Sequence, residues 1–326
     1  MSELQAYIQQ FAKLRRAPGS MWSATTKKMA PHKPLLLLSL IDLIARGAVT
    51  SNFIDVTGNL VELNDLFASY WRKVVPLSQT SSIAFPFSRL RSEPFWTLVP
   101  VKGKELDRVT INSINTVRQL RQFALGARID EALFILLQRQ DSRNMLRHAL
   151  LVSCFSEQAQ AALLEQANIN AEAFSYNQEL LEKAHQPLLK EIIEADNYKP
   201  SARDQGFRRA VVITYDHRCA LCGIRIITSE GHTAVDAAHI IPWSISKNND
   251  IRNGMALCKL YHWAFDEGIM GVSDGYTVIT ARQINLTPNV PGFLMALAGR
   301  AIIPPVDRDL WPAQQYLAKH RREWRL

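Results

Sequence analysis

A chain of 326 residues with 47% hydrophobic and 21% charged residues is long enough for two or three domains with separate cores, and it is composed like an ordinary globular protein. No apolar run reaches membrane-spanning length, since the longest, Pro34 to Ala45, is short and contains Asp42. The N-terminus reads as an amphipathic helix rather than a secretory leader, so a cytoplasmic protein without a membrane partner is expected. The net charge of +8 is uneven: residues 1–165 carry 20 Lys+Arg against 13 Asp+Glu, residues 166–205 carry 4 against 7, and residues 206–326 carry 14 against 10. Two basic blocks around an acidic connector suit a polyanion, because clustered Lys and Arg gain from releasing condensed counterions; a basic protein with no such partner is the plainer alternative.

Taken in chain order, "MSELQAYIQQFAKLRR" predicts a helix, followed by a polar loop, "APGSMWSATTKK". A second helix is expected in "APHKPLLLLSLIDLIARGAV", with Pro34 in its first turn and Gly47 at its end. Pro76, Pro86, Pro94 and Pro100 then break the chain into short segments, of which "FWTLVPV" reads as a strand. Helical periodicity returns from Asp130 to Phe155, with a break near Asp141 and Ser142; Cys154, in apolar "LLVSCFS", reads as a buried, inert thiol. "EQAQAALLEQANINAEAF" and "NQELLEKAHQPLLKEIIEADNY" predict a helical connector. Beyond it, "DQGFRRAVVITYDHRCALCG" reads as a helix running into C-x-x-C, and "TAVDAAHIIP" as a strand. "SISKNNDIRN" is a polar loop, "GMALCKLYHWAFDEG" reads as helical with Gly268 as its stop, "GYTVIT" as a strand and "WPAQQYLAKHRREW" as a closing helix.

The chemistry concentrates in residues 235–268, where His239, Asn253 and His262 follow one another at intervals of 14 and 9 residues. A strand histidine, a loop and a helix histidine form a compact scaffold for one divalent metal, and the reaction this suits is phosphodiester hydrolysis. A neutral histidine can take a proton from water, a metal can neutralise charge on the phosphate, and an asparagine can pin the loop between them. Alone, His239 would read as a satisfied core residue. Cys219, Cys222 and Cys258 point to metal rather than disulfide in a cytosolic chain. Either they hold zinc with a fourth group such as His217, His232 or His262, or they pack as small apolar residues. His148, His185 and His320 lie in helical stretches without a partner pattern and read as ordinary side chains.

"AHIIPW…NNDIRNGMALCKLYHWAFDEG" resembles the HNH nuclease motif, the ββα-metal fold, in its restriction-endonuclease-like branch. The resemblance covers residues 206–326 and implies that His239 is the general base, Asn253 the loop organiser and His262 a metal ligand for Mg²⁺ or Mn²⁺. Many HNH nucleases carry a second ligand immediately before the first histidine, where this chain has Ala238; Asp236 and Asp266 are the substitutes. Many also hold a structural Zn²⁺ on two C-x-x-C pairs, of which Cys219, Cys222 and Cys258 match three places and Tyr261 stands at the fourth.

"APHKPLLLLSLIDL" and "IAFPFSRLRSEPFWTLVP" resemble the sulfur-binding domain that precedes HNH domains in McrA-type restriction enzymes attacking phosphorothioated DNA. The resemblance implies an apolar cavity that tells sulfur from oxygen, with Phe85 and Pro86 as its walls. His32 and Lys33 would contact the DNA, and Arg89, Arg91, Arg108 and Arg118 would add contacts. The plainer reading makes Phe85–Phe87 a buried turn and the arginines a solvated face.

The expected architecture is α+β: a mixed α/β DNA-reading domain over residues 1–165, a helical linker over 166–205, and a ββα-metal HNH nuclease domain over 206–326. The expected activity is cleavage of phosphorothioate-modified double-stranded DNA, by a homodimer at least on DNA. The rivals are a nuclease reading methylated or hydroxymethylated cytosine, which would need an aromatic cage for a flipped base, and a non-catalytic DNA-binding regulator.

Overall fold

The computed structural model describes residues 2–58, 60–188, 198–228, 231–282 and 292–326. The chain divides into two compact units, Met1–Ala171 with Thr228–His232, and Glu172–Ile227 with Thr233–Leu326. Among the described residues no helix is long and apolar enough to cross a membrane.

The first unit is built around one helix. After α1 (Glu3–Ala12) comes α2 (His32–Ala45), in which every residue from Lys33 to Ile44 is buried. A helix apolar on all faces must lie inside a core, so the leucine run dictates this placement. Two charges are buried with it and both are paired. Asp42 accepts from Tyr70 Oη at 2.6 Å and Asn170 Nδ2 at 3.0 Å and meets Arg147 at 2.9 Å, while Lys33 Nζ meets Glu93 at 2.5 Å. Against α2 pack α3 (Leu60–Val74) and α4 (Ala84–Arg89), and α5 (Arg108–Ser113) packs against α4. α6 (Val117–Phe123), α7 (Glu131–Gln138) and α8 (Gln140–Cys154) complete the helical layer. The expected break in the 130–155 helix falls at Arg139. An antiparallel sheet of order β1–β3–β2 joins β1 (Phe53–Asp55), β2 (Trp96–Pro100) and β3 (Ala124–Ile129), with a register shift between Val99 and Pro100. Cys154 is buried, and burial pushes its thiol pKa up.

Helix α9 (Glu157–Ala184) follows. The helix expected over "NQELLEKAHQPLLKEIIEADNY" is observed as far as Ala184; its residues 189–197 lie outside the described residues.

The second unit opens with α10 (Pro200–Thr214), whose Phe207, Ala210, Val211 and Val212 are buried. It packs on an antiparallel pair, β4 (Val235–His239) and β5 (Gly254–Cys258), joined by a loop containing α11 (Trp243–Ser246). The register runs from Val235↔Cys258 to His239↔Gly254. α12 (Lys259–Asp266) follows directly, with Cys258 as its N-cap. The single helix expected over "GMALCKLYHWAFDEG" is therefore a strand and a helix. Met255, Ala256 and Leu257 are fully buried, and a short apolar run of this kind carries no period that separates strand from helix. A hairpin of β6 (Met270–Val272) and β7 (Val278–Thr280), then α13 (Gly292–Met295) and α14 (Gln314–Trp324), complete the unit.

Candidate functional site

His239 ends β4 and His262 sits on α12, and both line a cleft of about 340 Å³ with Asp266, Trp243, His320, Glu323 and Trp324. The His239 ring stacks on Phe207, with centroids 4.0 Å apart and planes 11° from parallel, and its Nε2 lies 2.8 Å from Asn249 Oδ1. Gly254, opposite His239 in the register, makes room for that stack, because a Cβ there would lie 2.9 Å from Phe207 Cζ and 2.7 Å from Val211 Cγ2. Burial lowers the His239 pKa, against the opposing effect of Asn249 and Asp204. On α12, His262 and Asp266 are one turn apart, and their Nε2 and Oδ2 atoms lie 3.4 Å from each other. Burial raises the Asp266 carboxyl pKa, while His262 pulls it down.

Asn253 is wholly buried and all its amide contacts go to the loop. Its Oδ1 accepts from Ile241 N at 2.9 Å, and its Nδ2 donates to Ile241 O at 3.1 Å and Asn248 O at 3.0 Å. One side chain thereby closes both ends of the loop that carries the chain away from His239.

A second cluster lies where α10 meets the β pair. Cys219, Cys222 and Cys258 have sulfur atoms within 4.8 Å of one another. The chain turns back on itself there: Cys219 N donates to Ile224 O at 2.9 Å and Gly223 N to Cys219 O at 2.9 Å, with Gly223 at φ +77°, where a Cβ would be strained. A hydrogen bond from Cys222 and backbone N–H groups lower the Cys219 thiol to about 6. Among the described residues no histidine or carboxylate joins this trio, so His217, His232 and His262 do not supply a fourth ligand here. Another group of metal-binding type, His185, Asp307 and Asp309, lies at the surface.

In the first unit four aromatic side chains converge. His32 at the start of α2 has ring centroids 5.3 Å from Trp22, 4.8 Å from Trp71 and 4.8 Å from Phe85. The Arg89 guanidinium covers Phe85 at 4.4 Å while donating to the carbonyls of Ile111, Asn112 and Ile114. Burial and the Arg89 charge lower the His32 pKa to about 4, so the ring is neutral near pH 7, and its buried Nδ1 has no hydrogen-bond partner among the described residues.

Residues 8–172, just over half of the chain, match the family described as "ScoMcrA-like, DNA sulfur-binding domain". The chain belongs to this family. In this ScoMcrA-like protein, residues 219–273 match a second family, "HNH endonuclease". The fold is thus an N-terminal DNA sulfur-binding domain with a C-terminal HNH endonuclease domain that contains a cysteine cluster able to hold a metal ion. Among solved structures, one titled "Modification dependent TagI restriction endonuclease" is similar at 22% identity and a TM-score of 0.28, over 36% of each chain. A comparison with curated proteins finds no match.

Within the HNH domain the structure brings His239, His262 and Asp266 to one cleft, with Asn253 behind it. Asp236 goes elsewhere: strand alternation turns it from the cleft, and it is exposed and paired with Arg208 at 2.6 Å. Within the sulfur-binding domain, His32, Phe85 and Arg89 come together, and Pro86 is buried behind them. Lys33 does not face outward, since its ammonium is spent on Glu93 and Ser92. Arg91 donates to Leu106 O at 2.7 Å, and Arg108 and Arg118 are exposed on α5 and α6. Trp22, Trp71, Asn249 and Glu323 are not among the expected site residues, because each reaches its site from a distant segment or through the closure of a polar loop; His320, expected as an ordinary side chain, also lines the cleft. His320 stacks on Phe265 at 3.8 Å and bonds its carbonyl at 3.0 Å through Nε2, which accounts for its burial.

Proposed function

We propose that this chain is a modification-dependent restriction endonuclease, reading phosphorothioated DNA with its first domain and hydrolysing the backbone with its second. The observation that carries the reading is the convergence of His239, His262 and Asp266 on one cleft, in a chain whose other half is a DNA sulfur-binding domain. His239, held neutral by burial, takes a proton from the attacking water. Asn253 keeps the loop closed so that the ring stays aimed at the cleft.

The donor set at α12 fits a small divalent cation, Mg²⁺ or Mn²⁺. Ligand atoms at about 2.1 Å from one ion lie roughly 3 Å apart, and His262 Nε2 and Asp266 Oδ2 are 3.4 Å apart. Bound there, such a cation stabilises charge on the phosphate and on the departing oxygen. The cysteine trio fits a structural Zn²⁺, since thiolates about one zinc sit roughly 3.8 Å apart and the three sulfur atoms lie within 4.8 Å of one another. One HNH site per chain cuts one strand, so a double-strand break takes two copies on the DNA.

In the reader, His32, Phe85, Trp22 and Trp71 offer uncharged aromatic rings, with the Arg89 guanidinium over Phe85, and such rings suit sulfur, which is larger, softer and less hydrated than oxygen. These rings are tilted at 51° to 88° and packed on one another, whereas a flipped base needs two parallel faces about 7 Å apart, twice a van der Waals contact. This favours sulfur over a modified base. The test is incubation of the full chain with matched plasmids, with and without phosphorothioate, in Mg²⁺ or Mn²⁺. Cleavage of the modified plasmid by the wild type and not by His239→Ala is expected; equal nicking by the two proteins, or equal cleavage of the two plasmids, overturns the reading.

A further inference from the structure

Asn249 is only 7% exposed and lies outside the His–Asn–His spacing, yet its Oδ1 is 2.8 Å from Nε2 of His239. We infer that Asn249 is a positioning residue for cleavage, holding the His239 ring in the tautomer protonated at Nε2 and leaving the Nδ1 lone pair to take the proton. An amide oxygen only accepts, so Nε2 must donate to it, and a neutral imidazole has a single N–H. The consequence for rate rests on the nuclease reading above; the tautomer itself does not.

The surroundings of Asn249 are fixed on both sides. Asn248 donates through Nδ2 to Tyr316 Oη at 2.8 Å, and its carbonyl accepts from Asn253 at 3.0 Å. Asp250 receives Arg252 through Nε at 2.9 Å and Nη2 at 2.7 Å, and its own N–H donates to Asn248 Oδ1 at 2.7 Å. Asn253 therefore acts on His239 through the backbone of Asn248, and Asn249 makes the last contact. The Phe207 stack complements this contact. Stacking fixes the plane of the ring but allows a half-turn about Cβ–Cγ, which keeps that plane and puts Cδ2 in the place of Nδ1 and Cε1 in the place of Nε2. A hydrogen bond to one edge removes that freedom. Catalytic groups need such an orienting partner, because a base whose lone pair points away from the cleft takes no proton from it.

The experiment uses the full chain with ¹⁵N-labelled histidine, in which long-range ring correlations separate the two tautomers of His239, beside single-turnover cleavage and gel-shift binding. The wild type is expected to be protonated at Nε2. Asn249→Leu, close in volume but without an acceptor, is expected to mix the tautomers and slow cleavage about tenfold or more with DNA binding unchanged. Asn249→Asp keeps an acceptor and is expected to retain the Nε2–H ring and recover most of the rate. A wild-type ring protonated at Nδ1, a wild-type rate in Asn249→Leu, or a rate for Asn249→Asp no better than for Asn249→Leu overturns the assignment. A wild type that holds the Nε2–H ring but cuts no DNA sinks the nuclease reading and upholds the tautomer.

Discussion

His239 and His32 are both pushed toward neutrality by burial, and the same shift has different consequences at the two sites. At His239, under the proposed function, it serves chemistry. A base must be unprotonated to work, so cleavage should rise with pH as the ring loses its proton, and the lowered pKa places that limb below the usual value of 6.5. Single-turnover rates across pH 5–8 check this, and a limb centred above 6.5 would count against it. His239→Ala should slow cleavage by roughly 10²- to 10⁴-fold, the usual contribution of a general base, without weakening gel-shift binding. At His32 the shift is a cost in stability. The unfolded ring titrates near 6.5 and the folded ring near 4, so between these values the unfolded chain binds more protons and stability falls as the pH is lowered. The full effect approaches about 3 kcal/mol at about pH 4, and His32→Phe should flatten it. Urea unfolding of the two proteins at pH 7.5 and pH 5 measures the difference.

At the scale of elements, the β4–loop–β5–α12 segment shows what local pattern reveals and what it does not. The loop between the strands is closed by Asn253, and Asn253→Ala would strand two buried carbonyls and one N–H of Ile241 and Asn248. About 2–3 kcal/mol of stability should go with it, read by thermal unfolding, and cleavage should fall further than stability because the loop carries the partner of His239. The convergence of His239 and His262 on one cleft, with Asn253 behind it, was legible because the proposed roles each demand one residue type at a defined place in the element. The strand from Gly254 to Cys258 was not, since Met255, Ala256 and Leu257 are buried on both faces and show neither a period of two nor one of 3.6. The face of Asp236 was legible, since the period of two in a strand sets it opposite His239 unless a bulge intervenes, and the register has none; the contact of Asn249 was not, because it depends on how a polar loop closes. The reader was legible in half: Phe85 and His32 lie in recognisable short stretches, but Trp22 and Trp71 join them from a loop and from α3, brought there only by the packing of α2.

At the scale of the whole molecule, the proposed reading and cutting domains should be separable by measurement. HNH chemistry acts on a phosphodiester common to all DNA, so selectivity must come from the reader, and the two parts of binding obey different physics. Contacts of Lys and Arg with phosphates release counterions and set the slope of log K against log[salt], at about 0.9 per phosphate neutralised. An apolar contact with sulfur releases none. Modified and unmodified duplexes should therefore give parallel lines in such a plot, displaced by a constant factor at every salt concentration. Phe85→Ala, which removes one wall of the aromatic cluster, should collapse that displacement and leave the slope alone. Arg118→Ala, at an exposed cation of α6, should reduce the slope by about 1 for both duplexes and leave their separation intact. Gel shifts over a range of salt with the cleavage-deficient His239→Ala protein keep the DNA whole while all these lines are drawn. Lines that converge as salt rises would mean that the mark is read through charge, and the aromatic cluster would then lose its proposed role.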